Sequence, residues 1–454
     1  MGWDNALISP IFAKLHELSA MQTLAQLHSG ALTGATSLKL SEGLTHFPEE
    51  IFQLADTLEI LDLSRNNLSE LHRDFGRLKK LRILFCSDNL FTVMPEELAD
   101  CPVLEMVGFK ANEIETVPPA SINPNLRWLI LTNNCITTLP AEIGNCTRMQ
   151  KLALAGNQLT ELPESLSKCS NLGLLRISAN KLTKLPEWLL SMPKLSWLAF
   201  SGNPFCIEPV IADVSVIDWH LLEIHQMLGE GASGIIYKAI LSNDTGNKEV
   251  AVKVFKGAVT SDGLPEDEMN TFITAGLHNG LVQLIGQIAD HPEGKKGLVM
   301  ELIPDSFYNL GLPPSFASCT RDVFVEGSAL SLKQILKIAT TIASVAGQLH
   351  SKGIMHGDMY AHNTLIDDDG NTLFGDFGAA CFYDKSNTEV AHALERLEVS
   401  AFGCLLDDLL PLCAETDSHV INRIGELRDA CMAPNVATRP DFQLLEKELK
   451  AISM

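Results

Sequence analysis

The chain has 454 residues, 46% of them hydrophobic and 20% charged, which suits two to four folded units at roughly 100–200 residues each and is too apolar for a disordered protein. Its 34 basic and 56 acidic residues leave a formal charge of -22, unevenly spread: residues 1–206 hold 17 basic and 21 acidic side chains, the remainder 17 and 35. A field of that sign repels phosphate backbones and anionic lipid, so neither nucleic acid nor a membrane surface is expected as a partner.

Eleven cysteines are scattered without a CxxC pair or metal-type spacing, the usage of a reduced, cytoplasmic protein. No stretch approaches the roughly 18 continuous apolar residues of a membrane span. The start, MGWDNALISPIFAKLHEL, lacks the basic opening and clean apolar centre of a signal peptide.

Leu7, Ile11, Leu15 and Leu18 recur at helical spacing, which predicts a capping helix within residues 1–33. A repeat then begins. Equivalent apolar positions fall at Leu58, Leu81, Leu104, Leu126, Met149, Leu172 and Leu195, and each is followed eight residues later by asparagine, from Asn66 through Asn203. An earlier copy, ATSLKLSEGLTHFPEE, carries Gly43 in the asparagine column and is expected at the edge. A unit this short cannot bury its own leucines, but stacked copies share one core, and the asparagine amides can serve backbone groups of the neighbouring turn. The unit, best seen in MQKLALAGNQLTELPESLSKCSN, resembles the leucine-rich repeat, which implies an α/β solenoid over residues 34–206. Cys101, Cys146 and Cys169 share one repeat phase and are expected as buried packing residues.

The column two residues after each first apolar position reads Ile60, Ile83, Met106, Trp128, Lys151, Leu174, Trp197. In such a repeat it points to the concave face. With Phe85 and Ile130 it forms either a protein-docking strip anchored by Trp128 and Trp197, or a column that neighbouring strands half bury.

After a linker over residues 207–215 the pattern changes. LGEGASGIIYKAI places Gly229, Gly231 and Gly234 between β-branched runs, so the glycines fall in a hairpin and not at a helix start. EVAVKVF follows with Lys253, and HSKGIMHGDMYAHNTLIDDDGNTLFGDFG supplies Asp358, Asn363 and Asp376. Three motifs in this order and spacing resemble a protein kinase domain, covering residues 216–454. The resemblance implies an α+β bilobal domain that uses ATP and Mg2+. Asp358 would orient the hydroxyl nucleophile, Lys253 would meet the phosphates, and Asn363 and Asp376 would offer hard oxygen ligands to the metal. It also implies nucleotide contacts from Gly229, Gly231, Ser233, Gly234, Ile236 and Ala251, with Met300 in the gatekeeper place and Glu301 to Ile303 as the hinge.

Four positions depart from that family's pattern. The glutamate expected to pair with Lys253 falls nearest Glu268, with Met269 in its usual place, and Glu266, Asp267 and Glu268 also suit an acidic first helical turn capped near Asp262. Gly357 replaces the arginine that clamps a phosphorylated activation loop. Only 19 residues separate Gly378 from Glu398, so the peptide-docking shelf is shortened. Tyr360 stands where serine/threonine kinases carry lysine. The expected function is a cytoplasmic serine/threonine protein kinase whose repeats recruit a protein partner on the concave face. The alternatives are a pseudokinase scaffold and a small-molecule phosphotransferase, the latter because HGD followed by asparagine is also the form those enzymes use.

Overall fold

The computed structural model describes residues 21–207, 213–231, 233–243, 246–257, 259–260, 262–415 and 418–453. Most of the predicted capping helix lies outside them. What is described of it is a short helix, α1 (Leu24–His28), closed by a capping box in which the Thr23 side chain accepts from the Gln26 N–H. Just ahead of it, the Gln22 carboxamide oxygen accepts from the Lys39 N–H at 2.8 Å, serving an edge strand as another strand would.

Each repeat contributes a three-residue strand: β1 (Ser37–Lys39), β2 (Ile60–Asp62), β3 (Ile83–Phe85), β4 (Met106–Gly108), β5 (Trp128–Ile130), β6 (Lys151–Ala153), β7 (Leu174–Arg176) and β8 (Trp197–Ala199). Strands β1 to β7 stack in parallel, one repeat per step, so Ile83 lies beside Met106 and Met106 beside Trp128. The leucine columns, among them Leu61, Leu84, Leu129 and Leu152, are fully buried between the stacked turns.

The asparagines do what their spacing predicts. Asn157 accepts from the Ile136 N–H at 3.1 Å and donates to the Leu131 and Leu154 carbonyls at 2.9 Å each. The neighbouring columns repeat this pattern, which saturates backbone groups that no strand reaches. The residue before each asparagine, whether Arg65, Ala111 or Gly156, takes a left-handed φ of 52–71°. Only some repeats advertise that turn with glycine.

Cys101, Cys146 and Cys169 are buried, and each points its thiol at a carbonyl of the preceding turn, that of Phe75, Asn123 and Ile143 respectively. Burial pushes the first two thiols up to about 12 and the third to about 11. The single 22-residue repeat uses Asn123 at this place, donating to the Leu98 and Cys101 carbonyls.

The chain divides into two compact units, and the division falls inside the last repeat: Ser196–Gly202 belongs with Cys206–Met454, while the rest of the repeats and Asn203–Phe205 form the other.

In the second unit a six-stranded sheet runs in the order β10-β11-β12-β14-β13-β9, comprising β9 (Val216–Asp218), β10 (Leu222–Glu230), β11 (Gly234–Asn243), β12 (Gly246–Phe255), β13 (Leu284–Ala289) and β14 (Gly297–Glu301). The alternation in EVAVKVF sorts its two faces: Val250, Val252 and Val254 enter one apolar cluster, Ala251 and Phe255 another, and the second cluster also takes helix α2 (Pro265–Ala275) through Met269 and Ile273. Lys253 therefore shares the face that meets α2.

Helix α3 (Leu332–Ser351) starts at a Ser331/Gln334 capping box and buries Ile335, Ile338, Ile342, Val345 and Leu349. Helix α4 (Thr388–Leu409) is almost wholly buried from Leu397 to Leu406. Helices α5 (Ser418–Cys431) and α6 (Phe442–Ser453) pack on α4 and α3 respectively. Arg439 is buried beside them, donating to the Ala433 and Arg396 carbonyls. Short strands complete the unit: β15 (Tyr308–Asn309), β17 (Thr364–Ile366) and β18 (Thr372–Phe374) form one ladder, with β16 (Ile354–Met355) and β19 (Cys381–Phe382) a second. Among the described residues no helix is long and apolar enough to cross a membrane.

Candidate functional site

The glycine-rich segment is a hairpin. Gly229 pairs with Ile236 and Glu230 with Ile235 across β10 and β11, and the turn closes with the Gly231 N–H donating to the Gly234 carbonyl at 2.9 Å. The glycines have different reasons to be there. A Cβ on Gly234 would lie 2.6 Å from the Val254 carbonyl oxygen, so the sheet itself demands glycine. A Cβ on Gly231 would meet nothing within 4 Å; the fold leaves that space open.

Ser233 lies half-buried between these glycines. Below the hairpin, Ile236 pairs with Lys253, and Ala251 with Met300. Ile236, Ala251 and Met300 share one apolar cluster. Glu301 ends β14 exposed, its carboxylate 3.0 Å from Lys248, and Ile303 is half-buried just beyond.

Lys253 donates to the Glu268 carboxylate. Helix α2 begins later than expected, with Leu264 at its cap and Pro265 in the first turn beside Glu266, Asp267 and Glu268. Proline there fixes φ and wastes no donor. That start turns Met269 into the apolar cluster and leaves Glu268, 5% exposed, facing Lys253. Burial pushes the Glu268 carboxyl up, Lys253 pulls it down, and the nearby charge of Asp376 raises it again, for a net rise above the ordinary value.

Asp358 lies in the loop between β16 and β17. Its Oδ2 accepts from Asn363 Nδ2 at 2.7 Å, and the same amide reaches the Asp358 carbonyl at 3.0 Å. The Gly375 N–H donates to the Asn363 carbonyl, tying this loop to Asp376, which takes a left-handed φ of 57° and accepts from the Gly378 N–H through Oδ1. His356 stacks on Phe374 with centroids 4.1 Å apart and hydrogen-bonds the Gly375 carbonyl. The structure thus brings Lys253 to Glu268 and Asp358 to Asn363, with Asp376 beside both groups.

Sequence reasoning missed three supports of this loop. Glu398, 0% exposed, accepts from His350 Nε2 at 2.7 Å, the His356 N–H at 3.2 Å and the Gly357 N–H at 2.6 Å. A lone carboxylate in the apolar run EVSAFGCLL was the signal for it, since a buried charge needs partners. Asp322, in the insertion before α3, holds His362 at 2.7 Å; nothing in sequence marks it. The third is Trp197.

Trp197, expected among exposed docking anchors, is 3% exposed. Its ring stacks on Tyr360 with centroids 4.5 Å apart and planes 5° from parallel, and Nε1 donates to the Met359 carbonyl at 3.0 Å. That surface is taken by the chain itself. In the repeats, Trp128 is half-buried with Lys151 Nζ 4.6 Å over its ring. Phe85 covers Gly108, whose Cβ would sit 2.7 Å from the ring, with Ile130 on the other side. Ile83, Met106 and Leu174 are buried, so neighbouring strands cover much of this column.

Residues 222–401 match the family described as protein tyrosine and serine/threonine kinase, and residues 57–78, 124–168 and 147–205 match leucine-rich repeat families. A probable serine/threonine-protein kinase of Dictyostelium discoideum is 32% identical over 167 residues, 36% of this chain and 9% of its own length. A probable leucine-rich repeat receptor-like protein kinase of Arabidopsis thaliana is 32% identical over 206 residues, 41% of this chain and 28% of its own. A tyrosine-protein kinase receptor of Gallus gallus is 31% identical over 157 residues, 34% and 18% respectively. The chain spans less than a third of each of these relatives.

Proposed function

From the premise that this chain joins leucine-rich repeats to a protein kinase domain, we propose that it transfers the ATP γ-phosphoryl group to serine or threonine hydroxyls of a protein. The observation that carries this is the Lys253–Glu268 pair on the sheet face beneath the glycine hairpin. A buried carboxylate holding a lysine there presents a fixed cation to phosphate, and an ordinary surface lysine needs no such partner.

The residues fit a magnesium nucleotide. Asn363 commits its side-chain nitrogen to Asp358, which leaves its side-chain Oδ1 as the donor for a hard cation, and Asp376 commits one oxygen to Gly378. Asp376 adds negative charge near Glu268, which a cation there would offset. The open space above Gly231 admits phosphate close to the backbone. Mg2+, when bound, would neutralise charge on the phosphates. Asp358, its plane fixed by Asn363, accepts the proton of the attacking hydroxyl.

The repeats would recruit the protein acceptor through the half-buried side chains Phe85, Trp128 and Ile130, raising its concentration at the site. The cytoplasm is the proposed compartment, supported by eleven cysteines that are all free thiols.

The test is incubation of the purified chain with labelled ATP and Mg2+, beside Asp376→Ala, with and without a panel of sugars and amino alcohols. Label on protein, lost in the variant, supports the proposal. Label only on a small alcohol makes the chain a small-molecule phosphotransferase, and no transfer in any arm makes it a scaffold.

A further inference from the structure

The segment after Asp376 is short. Eleven residues on, at Asn387, helix α4 is already capped, and between them lie a single 3-10 turn at Phe377–Ala379, β19 and a turn. Little chain remains there to brace the catalytic loop. The brace comes from elsewhere in the same compact unit, the stretch Ser196–Phe200.

Four contacts define it. Trp197 Nε1 donates to the Met359 carbonyl, directly after Asp358, and its ring lies flat on Tyr360. The Ser196 hydroxyl donates to that of Ser400 on α4 at 3.0 Å. The Phe200 N–H donates to Cys381 Sγ at 3.1 Å, on β19. The fourth is steric: a Cβ on Gly357 would lie 2.6 Å from the Leu198 carbonyl oxygen and 2.7 Å from that of Ala379. Gly357 also has a φ of 74°, in the left-handed region. Ser196, Trp197, Leu198 and Phe200 are all buried.

Two of the departures noted in the sequence thus meet the same stretch: no side chain fits at position 357, where the Leu198 and Ala379 carbonyls fill its place, and the aromatic ring at position 360 faces Trp197. Tyr360 also accepts from Thr364 Oγ1 at 2.9 Å and the Asn363 N–H at 3.2 Å through its carbonyl. Trp197 therefore grips the two residues after Asp358, and the second of them, Tyr360, in turn holds Asn363.

We propose that the stretch Ser196–Phe200 substitutes for an activation segment, with Trp197 the residue that positions the catalytic loop, so that the loop is set without phosphorylation. This rests on the phosphoryl-transfer function above, and its test separates the two. The full chain is compared with Trp197→Ala, with Trp197→Phe, which keeps a ring over Tyr360 but loses the N–H, and with the double variant Ser386→Ala, Thr388→Ala, which removes the serine and threonine hydroxyls that follow Asp376 and could carry an activating phosphate. Amide hydrogen exchange over residues 356–363 is followed in each, together with kcat and the KM for ATP.

In Trp197→Phe, exchange across the loop rises about tenfold, the factor set by one lost hydrogen bond. In Trp197→Ala, kcat falls about a hundredfold while KM for ATP stays within about threefold, because misplacing Asp358 harms chemistry more than nucleotide binding. Trp197→Phe recovers part of that loss. The double variant keeps the wild-type kcat. Unchanged exchange in Trp197→Phe overturns the proposal, as does a loss in Trp197→Ala carried by KM, or a tenfold or greater fall in the double variant. If Trp197→Ala does not fold, Trp197→Phe decides. If the wild type transfers no phosphate, the kinase function fails and the exchange measurement alone decides this proposal.

Discussion

Removing Glu398 tests how the loop that carries Asp358 is anchored. Glu398→Ala deprives three buried donors of their acceptor, His350 Nε2 at 2.7 Å, the Gly357 N–H at 2.6 Å and the His356 N–H at 3.2 Å. Each orphaned donor costs about 1–3 kcal/mol, so about 4 kcal/mol is expected for the three together. At about 3 °C per kcal/mol for a unit of this size, the kinase unit's melting temperature falls by about 12 °C. Glu398→Gln keeps shape and one acceptor oxygen but turns an amide donor toward the others, for about half that loss. The exposed Glu426, paired with Arg423 at 2.6 Å, is the control: Glu426→Ala stays within about 2 °C of wild type. Differential scanning calorimetry of the full chain reads all three. A Glu398→Ala transition within about 2 °C of wild type refutes the anchoring role.

Acid should act on the same group. Burial pushes the Glu398 carboxyl up, but the His350 hydrogen bond and the other donors outweigh it and hold the group below its ordinary value of 4.5. Its contribution is complete above 4.5 and lost as pH falls through the lower folded value, so wild-type stability drops more steeply below pH 4.5 than that of Glu398→Gln. Equal slopes would contradict this. In the repeats, Asn157→Ala strands an N–H and two carbonyls and costs about 2–4 kcal/mol in urea unfolding, whereas Asn171→Ala, which loses only exposed bonds, to the Thr147 carbonyl and from Lys194, costs under about 1; similar costs would refute the ladder. Lys253→Met lowers phosphate transfer about a hundredfold or more, and a rate within twofold of wild type would remove Lys253 from the site. A thiol reagent at pH 8 labels native Cys135, Cys206 and Cys413 but not Cys146 or Cys169, buried thiols pushed up to about 12 and 11. Prompt labelling of Cys146 would show the repeats opening.

The sequence alone determined the solenoid, since a 23-residue period of leucine and asparagine is itself the packing rule: identical turns stacked on one another need identical side chains. It also determined the hairpin around Gly231 and the order of Lys253, Asp358, Asn363 and Asp376, because phosphate chemistry constrains residue type and local spacing together. Which acidic residue meets Lys253 depended on where α2 starts, a matter of one residue that Pro265 set and the spacing of the motif did not. Only the tertiary structure decided the roles of Glu398, Asp322 and Trp197. Their partners lie 42, 40 and 162 residues away, and a side chain that serves a distant backbone group leaves no period behind. Trp197 occupies a repeat column that the pattern leaves open between docking and half-burial; its ring is covered by Tyr360, a partner invisible to the repeat.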